Sequence, residues 1–308
     1  MFHLPEYKVP FLKDTDSHRL MAQYPNLPAT PDHCPTCNGK KTFQWFRYDA
    51  LDTHDPQQPQ GGGEDVVEFE CACDNQWMLN RYLFHCGIGM QYQRMSWRDR
   101  AIPIPEPIQD YTTNYEPYIR NGLGITLYGT MGTGKTLFIN LLLKYLIRKG
   151  YDGYFTTFAD LLEKFRSGFV SQEEKAWFYK RIRNARILII DDIGREQQMT
   201  VFRAKDATNQ VVDDRDYKSN ASVVHVATAI AESTLDEIVR HRVNQSMPTF
   251  VTTNLDRTQL QNKYGGNVLS LLTESNQFFK FESADFRNIA EERKRNEIRQ
   301  GLTRPIVL

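Results

Sequence analysis

Apolar runs separated by glycines, prolines and charged residues divide residues 119–285 into regular elements. The run 124–128 alternates β-branched and apolar residues, which predicts a buried strand. The run 137–148 is apolar on most faces and free of glycine and proline, which predicts a buried helix. Further strands are predicted at 154–158, 186–193 and 248–254, and helices at 159–169 and 172–184. Strands that alternate with helices predict an α/β domain built on a parallel sheet.

The N-terminal third of the chain has a different pattern. Strands are predicted at 41–48 and 66–70, and a helix at 75–86 that Gly87 ends. A stiff, extended linker is predicted by Pro103, Pro105, Pro107 and Pro117. The expected parts are therefore an N-terminal domain 1–100, a linker 101–118, the α/β domain 119–285 and a charged tail 286–308.

The stretch 195–231 is longer than the alternation of strands and helices needs. It contains a predicted helix at 203–217 and a predicted strand at 222–227. Two interpretations stay open, an extra helix–strand unit and an insertion that binds a partner.

A phosphate-binding pattern lies between the strand at 124–128 and the helix that follows it. Two glycines with four residues between them precede Lys and Thr in the loop formed by Gly129, Thr130, Met131, Gly132, Thr133, Gly134, Lys135 and Thr136. Glycines let backbone N–H groups turn toward phosphate oxygens at the positive end of a helix. We expect Lys135 to reach the β- and γ-phosphates of ATP and the Thr136 hydroxyl to ligate Mg²⁺.

Acidic and amide residues end two of the other predicted strands. Asp191 and Asp192 follow four apolar residues, and Asn254 ends the strand at 248–254. Because carboxyl ends of parallel strands share one edge of a sheet, these residues are expected beside the phosphate loop. Asp191 is then predicted to hold Mg²⁺, and Asp192 to orient or deprotonate the attacking water. Asn254 is a candidate to bond that water or the γ-phosphate.

Four of the five cysteines form two tight pairs in the N-terminal third. Cys34 and Cys37 are separated by two residues, while Cys71 and Cys73 follow the strand at 66–70. This spacing around a hairpin predicts a zinc ribbon with four sulfur ligands, a closed site that holds the fold together. Substitute ligands remain open among Cys86, His33, His54 and His85. Because the linker separates the modules, loss of zinc is expected to unfold the N-terminal domain without affecting ATP binding.

Charge and composition add few constraints. The 38 basic residues balance the 38 acidic ones, so any DNA-binding surface is a local patch. The tail 286–304 carries six basic and three acidic residues, and this density of charge predicts a solvated helix. No apolar run approaches membrane-spanning length and no signal-peptide pattern is present, which predicts a cytoplasmic protein.

The order of these motifs resembles the DnaC/DnaI group of AAA+ helicase loaders. The resemblance covers residues 75–287 and rests on the segments GTMGTGKT, ILIIDDIG, LDEIVRHRVNQSMPTFVTTNL, YGGNVLSLL and ESADFR. IstB transposition helper ATPases share much of this pattern. The resemblance implies an AAA+ P-loop ATPase domain, which is a parallel sheet flanked by helices. It also implies a replicative helicase and single-stranded DNA as partners, with further copies of the chain assembled on the DNA or on the helicase. Some loaders carry a zinc-binding N-terminal domain that contacts the helicase, and the compact design fits a phage-type loader.

The chain departs from the family at the arginines that act on a neighbouring subunit's ATP. The corresponding positions are Asn267 and Leu271, which carry no charge. Arg242, on the family's helix before the strand at 248–254, is therefore a candidate for the nucleotide site or a subunit contact, and Arg287 is a second substitute. Unless one of them supplies the charge, the isolated protein is expected to hydrolyse ATP slowly, because such an arginine raises the rate by about 10³ to 10⁵.

The leading hypothesis is an ATPase that loads a replicative DNA helicase onto single-stranded DNA during replication. An IstB-like transposition helper is the nearest alternative, since it shares the ATPase motifs. A non-hydrolysing, ATP-gated adaptor is favoured by the missing arginines. A small-molecule P-loop kinase is disfavoured by the paired acids and the cysteine module.

Overall fold

The computed structural model describes residues 1–8, 20–21, 24, 26–47, 65–100, 104, 106–167, 171–195, 217–282 and 285–308. The chain divides into two compact units. The first consists of Met1–Thr113, Gly132–Tyr154 and Ser283–Leu308, and the second of Asn114–Met131 and Phe155–Glu282. This division differs from the predicted boundaries because the helix after the phosphate loop belongs to the same unit as the cysteines.

A three-stranded sheet lies at the N-terminal end of the first unit. Its strands are β1 (Phe2–His3), β2 (Thr42–Arg47) and β3 (Asp65–Glu70), in the order β1-β3-β2. The antiparallel pair β2–β3 places Phe43 opposite Phe69, with their rings stacked at 5.6 Å. This hairpin and the helix α1 (Cys73–His85) confirm the elements predicted there.

The predicted extended linker is wrong over 106–118, where the chain is largely helical, and residues 101–103 and 105 of that linker lie outside the described residues. The helices α2 (Met90–Gln93) and α3 (Glu106–Thr113) lie in the first unit, and α4 (Tyr115–Arg120) begins the second. Pro107 and Pro117 occupy the second and third positions of α3 and α4. There the missing N–H has no partner within a helix, so proline does not prevent one from starting.

The C-terminal segment is only partly the predicted solvated helix. The helix α10 (Arg287–Arg299) is largely exposed, which agrees with the prediction. Beyond it the Thr303 N–H donates to the Gln44 carbonyl at 2.9 Å, and Ile306 exchanges hydrogen bonds of 2.8 and 2.9 Å with the Gln76 side chain. The last three side chains, Ile306, Val307 and Leu308, are buried. These three side chains therefore belong to the core of the first unit.

The phosphate-loop helix α5 (Lys135–Arg148) also belongs to the first unit. Its buried Lys144 donates hydrogen bonds to the carbonyls of Tyr92, Gln93 and Met95 at 3.2, 3.1 and 2.7 Å. The Gln93 carbonyl also accepts a hydrogen bond of 3.1 Å from the Val307 N–H. The end of α2 and the residues just after it thus contact both α5 and Val307.

A five-stranded parallel sheet in the order β5-β6-β7-β4-β8 forms the centre of the second unit. Its strands are β4 (Gly124–Tyr128), β5 (Gly153–Thr157), β6 (Ile187–Ile193), β7 (Thr249–Thr253) and β8 (Asn276–Lys280). The side chains of β6 from Ile187 to Ile190 are fully buried, as expected for a strand covered on both faces. This sheet flanked by helices confirms the predicted fold class.

α6 (Phe158–Ser167) and α7 (Gln172–Asn184) confirm the helices predicted at 159–169 and 172–184. Two further helices of this unit are α8 (Tyr217–Asn244) and α9 (Arg257–Ser275). The strand predicted at 222–227 is wrong, because these residues lie within α8. The helix predicted at 203–217 falls almost entirely outside the described residues. Within the described parts of the chain, every helix is too short or too polar to cross a membrane.

Candidate nucleotide-binding site and cysteine cluster

The carboxyl ends of three neighbouring strands meet at one edge of the sheet in the second unit. Tyr128, at the end of β4, pairs with Thr253 of β7, which also pairs with Ile193 of β6. The phosphate loop begins at this edge with Gly129, immediately after β4. The structure therefore brings together the start of that loop, both acids of β6 and Asn254, as the sequence predicts.

Asp191 is held within this edge by a neighbouring strand. Its carboxyl group is buried, and its Oδ1 accepts a hydrogen bond of 2.5 Å from Thr252 Oγ1. Sequence analysis missed Thr252, although it lies two positions before Asn254 and so shares its face of β7. Thr252 therefore fixes one carboxylate oxygen of Asp191 within the edge of the sheet.

Asp192 is directed by several contacts at once. Its φ of 59° lies in the left-handed region, which Asp tolerates better than most residues, and its N–H donates to Thr252 Oγ1 at 2.9 Å. Asn254 Nδ2 donates to Asp192 Oδ1 at 3.2 Å, and Arg195 Nη1 donates to Asp192 Oδ2 at 2.8 Å. The β6–β7 register shifts between Ile190 and Ile193. The two acids thus stand where the ladder is irregular, and their side chains take separate directions.

The glycines of the phosphate loop have conformations and surroundings that exclude larger residues. Gly129 has a φ of 134°, and a Cβ there would come within 2.3 Å of the Phe281 carbonyl oxygen. Gly132 has a φ of 79°, and a Cβ there would come within 2.1 Å of an Asp285 carboxylate oxygen. The loop ends where α5 begins with Lys135, and the Asn140 side chain donates to the Thr136 carbonyl at 2.8 Å. Both glycines thus have conformations that other residues rarely adopt, and the contacts of the loop with ATP and Mg²⁺ remain predictions.

Arg242 does not occupy the predicted nucleotide position. Its guanidinium is fully buried and donates to Thr249 Oγ1 at 3.0 Å and to the carbonyls of Ile182, Arg183, Ala185, Arg186 and Pro248. These partners precede β6 and begin β7, so they lie at the amino edge of the sheet, opposite Asp191 and Asn254. Burial and the nearby Arg186 lower the pKa of Arg242 to about 9. Its role is to join α7, α8 and the strand starts.

The two uncharged positions and the other predicted substitute, Arg287, lie in different units of the chain. Asn267 and Leu271 lie on α9 beyond Gly265, which interrupts that helix with a φ of 77°. The side chain of Arg287, in the first unit, lies 3.9 Å from an Asp285 carboxylate oxygen. A cation that sequence analysis missed, Arg195, contacts Asp192. A lone arginine after an acidic strand end gives no sequence signal, because its direction depends on the turn.

The four predicted zinc ligands come together in the first unit. The sulfur atoms of Cys34, Cys37, Cys71 and Cys73 all lie within 4.8 Å of one another. Cys34 and Cys71 approach to 3.5 Å, and Cys37 and Cys73 to 3.6 Å. Zinc–sulfur bonds of about 2.3 Å in a tetrahedron require sulfur–sulfur distances near 3.8 Å. The residues therefore fit a zinc ion.

The electrostatics of this cluster also favour a cation. Sharing a proton with Cys71 lowers the pKa of Cys34 to about 5, while the same contact, burial and the neighbouring thiolates raise the pKa of Cys71. Burial raises the pKa of Cys73 to about 11. Four buried thiols this close cannot all ionise without a compensating charge, which a metal ion supplies. Of the substitute ligands, His33 bonds Thr30, and Cys86 and His85 are not part of the cluster. His54 lies outside the described residues.

The part of the chain that carries the candidate nucleotide site is similar to a known family. Residues 109–260, just under half of the chain, match the family of IstB-like ATP binding proteins. This segment contains the phosphate loop, Asp191, Asp192 and Asn254. This part of the chain is therefore similar to IstB-like ATP binding proteins, in agreement with the resemblance that its motifs indicate.

Two curated relatives extend the comparison. The replicative helicase loader DnaI of Bacillus subtilis (strain 168) is 20% identical over 216 residues, 66% of this chain and 59% of that protein. An insertion sequence IS21-like ATP-binding protein of Bacteroides fragilis is 32% identical over 91 residues, 28% of this chain and 34% of that protein. The chain thus spans less than two thirds of either relative. The crystal structure of the DnaC helicase loader, 21% identical, matches 63% of this chain and 100% of that chain with a TM-score of 0.44.

Proposed function

We propose that this protein is an ATP-dependent loader of a replicative DNA helicase onto single-stranded DNA. The observation that carries the ATPase part is the shared edge of β4, β6 and β7, where the phosphate loop begins beside Asp191, Asp192 and Asn254. The DnaI relative supports the helicase as partner. Further copies of the chain, assembled on DNA or helicase, complete the proposed complex.

Each residue of the proposed ATP site has a role that follows from its chemistry. Backbone N–H groups of the loop from Gly129 to Thr136 bind the phosphates, and Lys135 pairs with the β- and γ-phosphates. Thr136 and Asp191 hold Mg²⁺, which neutralises charge on the phosphates. Asp192 orients or deprotonates the attacking water, and Asn254, already bonded to Asp192, helps to position it.

The cysteine cluster has a structural role in this proposal. Zinc bound by the four sulfurs joins the β2–β3 hairpin to the start of α1, and the resulting module binds the helicase. Thiolate ligands persist in a reducing compartment, which supports the cytoplasm as the location.

Two variants test the nucleotide site. Lys135→Ala is expected to abolish ATP binding because the charge that pairs with the phosphates is lost. Asp192→Asn is expected to bind ATP but not to hydrolyse it, since Asp191 still holds Mg²⁺. Binding of a fluorescent ATP analogue and steady-state phosphate release separate the two effects. Parental turnover in both variants would show that the site is assigned wrongly.

A loading assay tests the helicase part. The replicative helicase of the native host, added to a circular single strand with an annealed oligonucleotide, should release that oligonucleotide faster when the protein and ATP are present. The Asp192→Asn variant is the matched control, because it keeps the fold and ATP binding. No acceleration, together with no helicase in co-purification, would contradict the proposal.

A second candidate is an IstB-like transposition helper, which the family match and the Bacteroides fragilis relative favour. This candidate predicts ATP-dependent binding of duplex DNA and co-purification of a transposase in place of a helicase. A non-hydrolysing adaptor predicts ATP binding with no turnover under any of these conditions.

A further inference from the structure

A cation contacts the acid that the proposed function uses to activate water. Arg195 Nη1 lies 2.8 Å from Asp192 Oδ2, while the other carboxylate oxygen of Asp192 accepts a hydrogen bond from Asn254. The α9 positions at which the family carries arginines are the uncharged Asn267 and Leu271. Arg195 therefore places a positive charge beside Asp192 from the end of the strand in the same chain.

The backbone between Asp192 and Arg195 is fixed at two points. The Asp192 N–H bonds Thr252 Oγ1 on β7, and the Gly194 carbonyl accepts a hydrogen bond of 2.5 Å from Lys263 Nζ on α9. Gly194 has a φ of 112°, and a Cβ there would lie 2.9 Å from Leu255 Cδ1. Since β7 and α9 both hold this turn, its backbone keeps the Arg195 side chain within reach of the Asp192 carboxylate.

The ion pair itself is only partly buried. The Arg195 and Asp192 side chains are 50% and 30% exposed. Exposed pairs of this kind contribute little to stability, so the guanidinium can leave the carboxylate for another anion without unfolding the turn. A triphosphate bound at this edge offers such an anion, and a planar guanidinium binds two phosphate oxygens at once.

We propose that Arg195 is a catalytic residue that contacts the γ-phosphate of ATP bound by its own chain and stabilises the charge that develops during hydrolysis. This inference rests on the proposed function. Without nucleotide, Arg195 pairs with Asp192, and when ATP binds it moves to the γ-phosphate oxygens and frees the carboxylate. The water oxygen then bonds to the γ-phosphorus while the bond to the bridging oxygen breaks. ADP leaves with that electron pair, and Asp192 takes the proton of the water and passes it to solvent.

Steady-state kinetics of the full chain, with helicase and single-stranded DNA present, test this role. Arg195→Ala is expected to lower kcat by about 10² or more, since an arginine at the γ-phosphate is worth about 10³ to 10⁵ in rate. KM and the affinity for a fluorescent ATP analogue should stay close to those of the parent, because the charge acts mainly in the transition state. Arg195→Lys should recover part of the loss.

The chain offers a matched control. Arg240 pairs with Asp236 at 2.7 Å on α8, with side chains 51% and 28% exposed, so this pair resembles Arg195–Asp192 in geometry and exposure. Arg240→Ala should leave kcat unchanged. A mixture of the Arg195→Ala and Lys135→Ala variants tests whether Arg195 acts on the ATP of its own chain. The Lys135→Ala variant retains Arg195 but lacks an ATP site, so it could rescue hydrolysis only by acting on a neighbouring chain. No recovery of hydrolysis is expected.

The outcomes separate this inference from the proposed function. A parent that hydrolyses ATP and an Arg195→Ala variant with equal or higher kcat would overturn the catalytic role alone. Recovery of hydrolysis in the mixture would overturn the same-chain supply and assign Arg195 to a neighbour's site. A parent that never turns over ATP would overturn both the inference and the ATPase proposal.

Discussion

At the scale of single residues, the structure separates two arginines that the sequence presents alike. Arg242 is buried among carbonyls at the amino edge of the sheet, whereas Arg195 is half-exposed beside Asp192 at the opposite edge. The sequence pattern identifies Asp191, Asp192 and Asn254, because strand periodicity fixes which residues end a strand. It cannot identify Arg195 or exclude Arg242, since a long side chain reaches partners that only the fold defines.

Arg242→Ala is predicted to destabilise the protein. Several buried carbonyls and Thr249 would lose their donor and a cavity would form, so the free energy of unfolding should fall by about 3 kcal/mol or more. Urea denaturation measures this change. Arg240→Ala, on the exposed face of the same helix, should leave the unfolding midpoint nearly unchanged. An Arg242→Ala variant with parental stability and lost ATP binding would restore the nucleotide-site interpretation.

At the scale of elements, local patterns predict the strands that have apolar runs and a polar end. β4, β6 and β7 appear where periodicity places them. The strand predicted at 222–227 failed because its β-branched run resembles a strand locally, while the chain is helical from 217 onward. The buried end 306–308 was missed because its partners Gln76 and Gln93 lie more than 200 residues earlier in the chain.

Removal of Ile306, Val307 and Leu308 is predicted to destabilise the first unit. These side chains are buried, and each buried aliphatic side chain contributes about 1.5–3 kcal/mol. The loss should appear as a lower thermal midpoint and faster proteolysis. Ile298→Ala, at a position of α10 that is 68% exposed, is the control and should change neither. An unchanged midpoint after the truncation would show that the C-terminal contacts are weak.

Lys144 of α5 gives the first unit a predictable pH dependence. Burial lowers its pKa to about 7, against 10.5 in an unfolded chain, and the charge of Asp99 opposes part of this shift. Between these values the unfolded state binds more protons than the folded state, so this residue makes stability rise as pH increases from 7 toward 10.5. As pH increases from 7 toward 10.5, the unfolding free energy of the parent should rise more than that of Lys144→Met. Parallel pH profiles would contradict the shift.

At the scale of the whole molecule, the first unit connects the cysteine cluster to the phosphate-loop helix through a short chain of contacts. Thr36, between two of the cysteines, donates to Gln76 at 2.6 Å, and Gln76 bonds Ile306. The next residue, Val307, bonds the Gln93 carbonyl, which also accepts from Lys144 of α5. The sequence places these groups in separate modules because nothing local to a proline-rich stretch reveals contacts made across the whole chain.

Cys37→Ser therefore has consequences beyond zinc. The purified parent should contain about one zinc per chain, and the variant should lose it, because three sulfurs cannot complete the tetrahedral site. In contrast to the expectation from the linker, we predict that the variant also binds ATP more weakly, since α5 and Lys135 belong to the same compact unit as the cluster. Elemental analysis and titration with a fluorescent ATP analogue measure the two effects.

Cys86→Ser, at a buried cysteine outside the cluster, is the control and should retain the metal. Zinc loss with unchanged ATP affinity would show that the contacts from Thr36 to Lys144 do not transmit disorder to the phosphate loop.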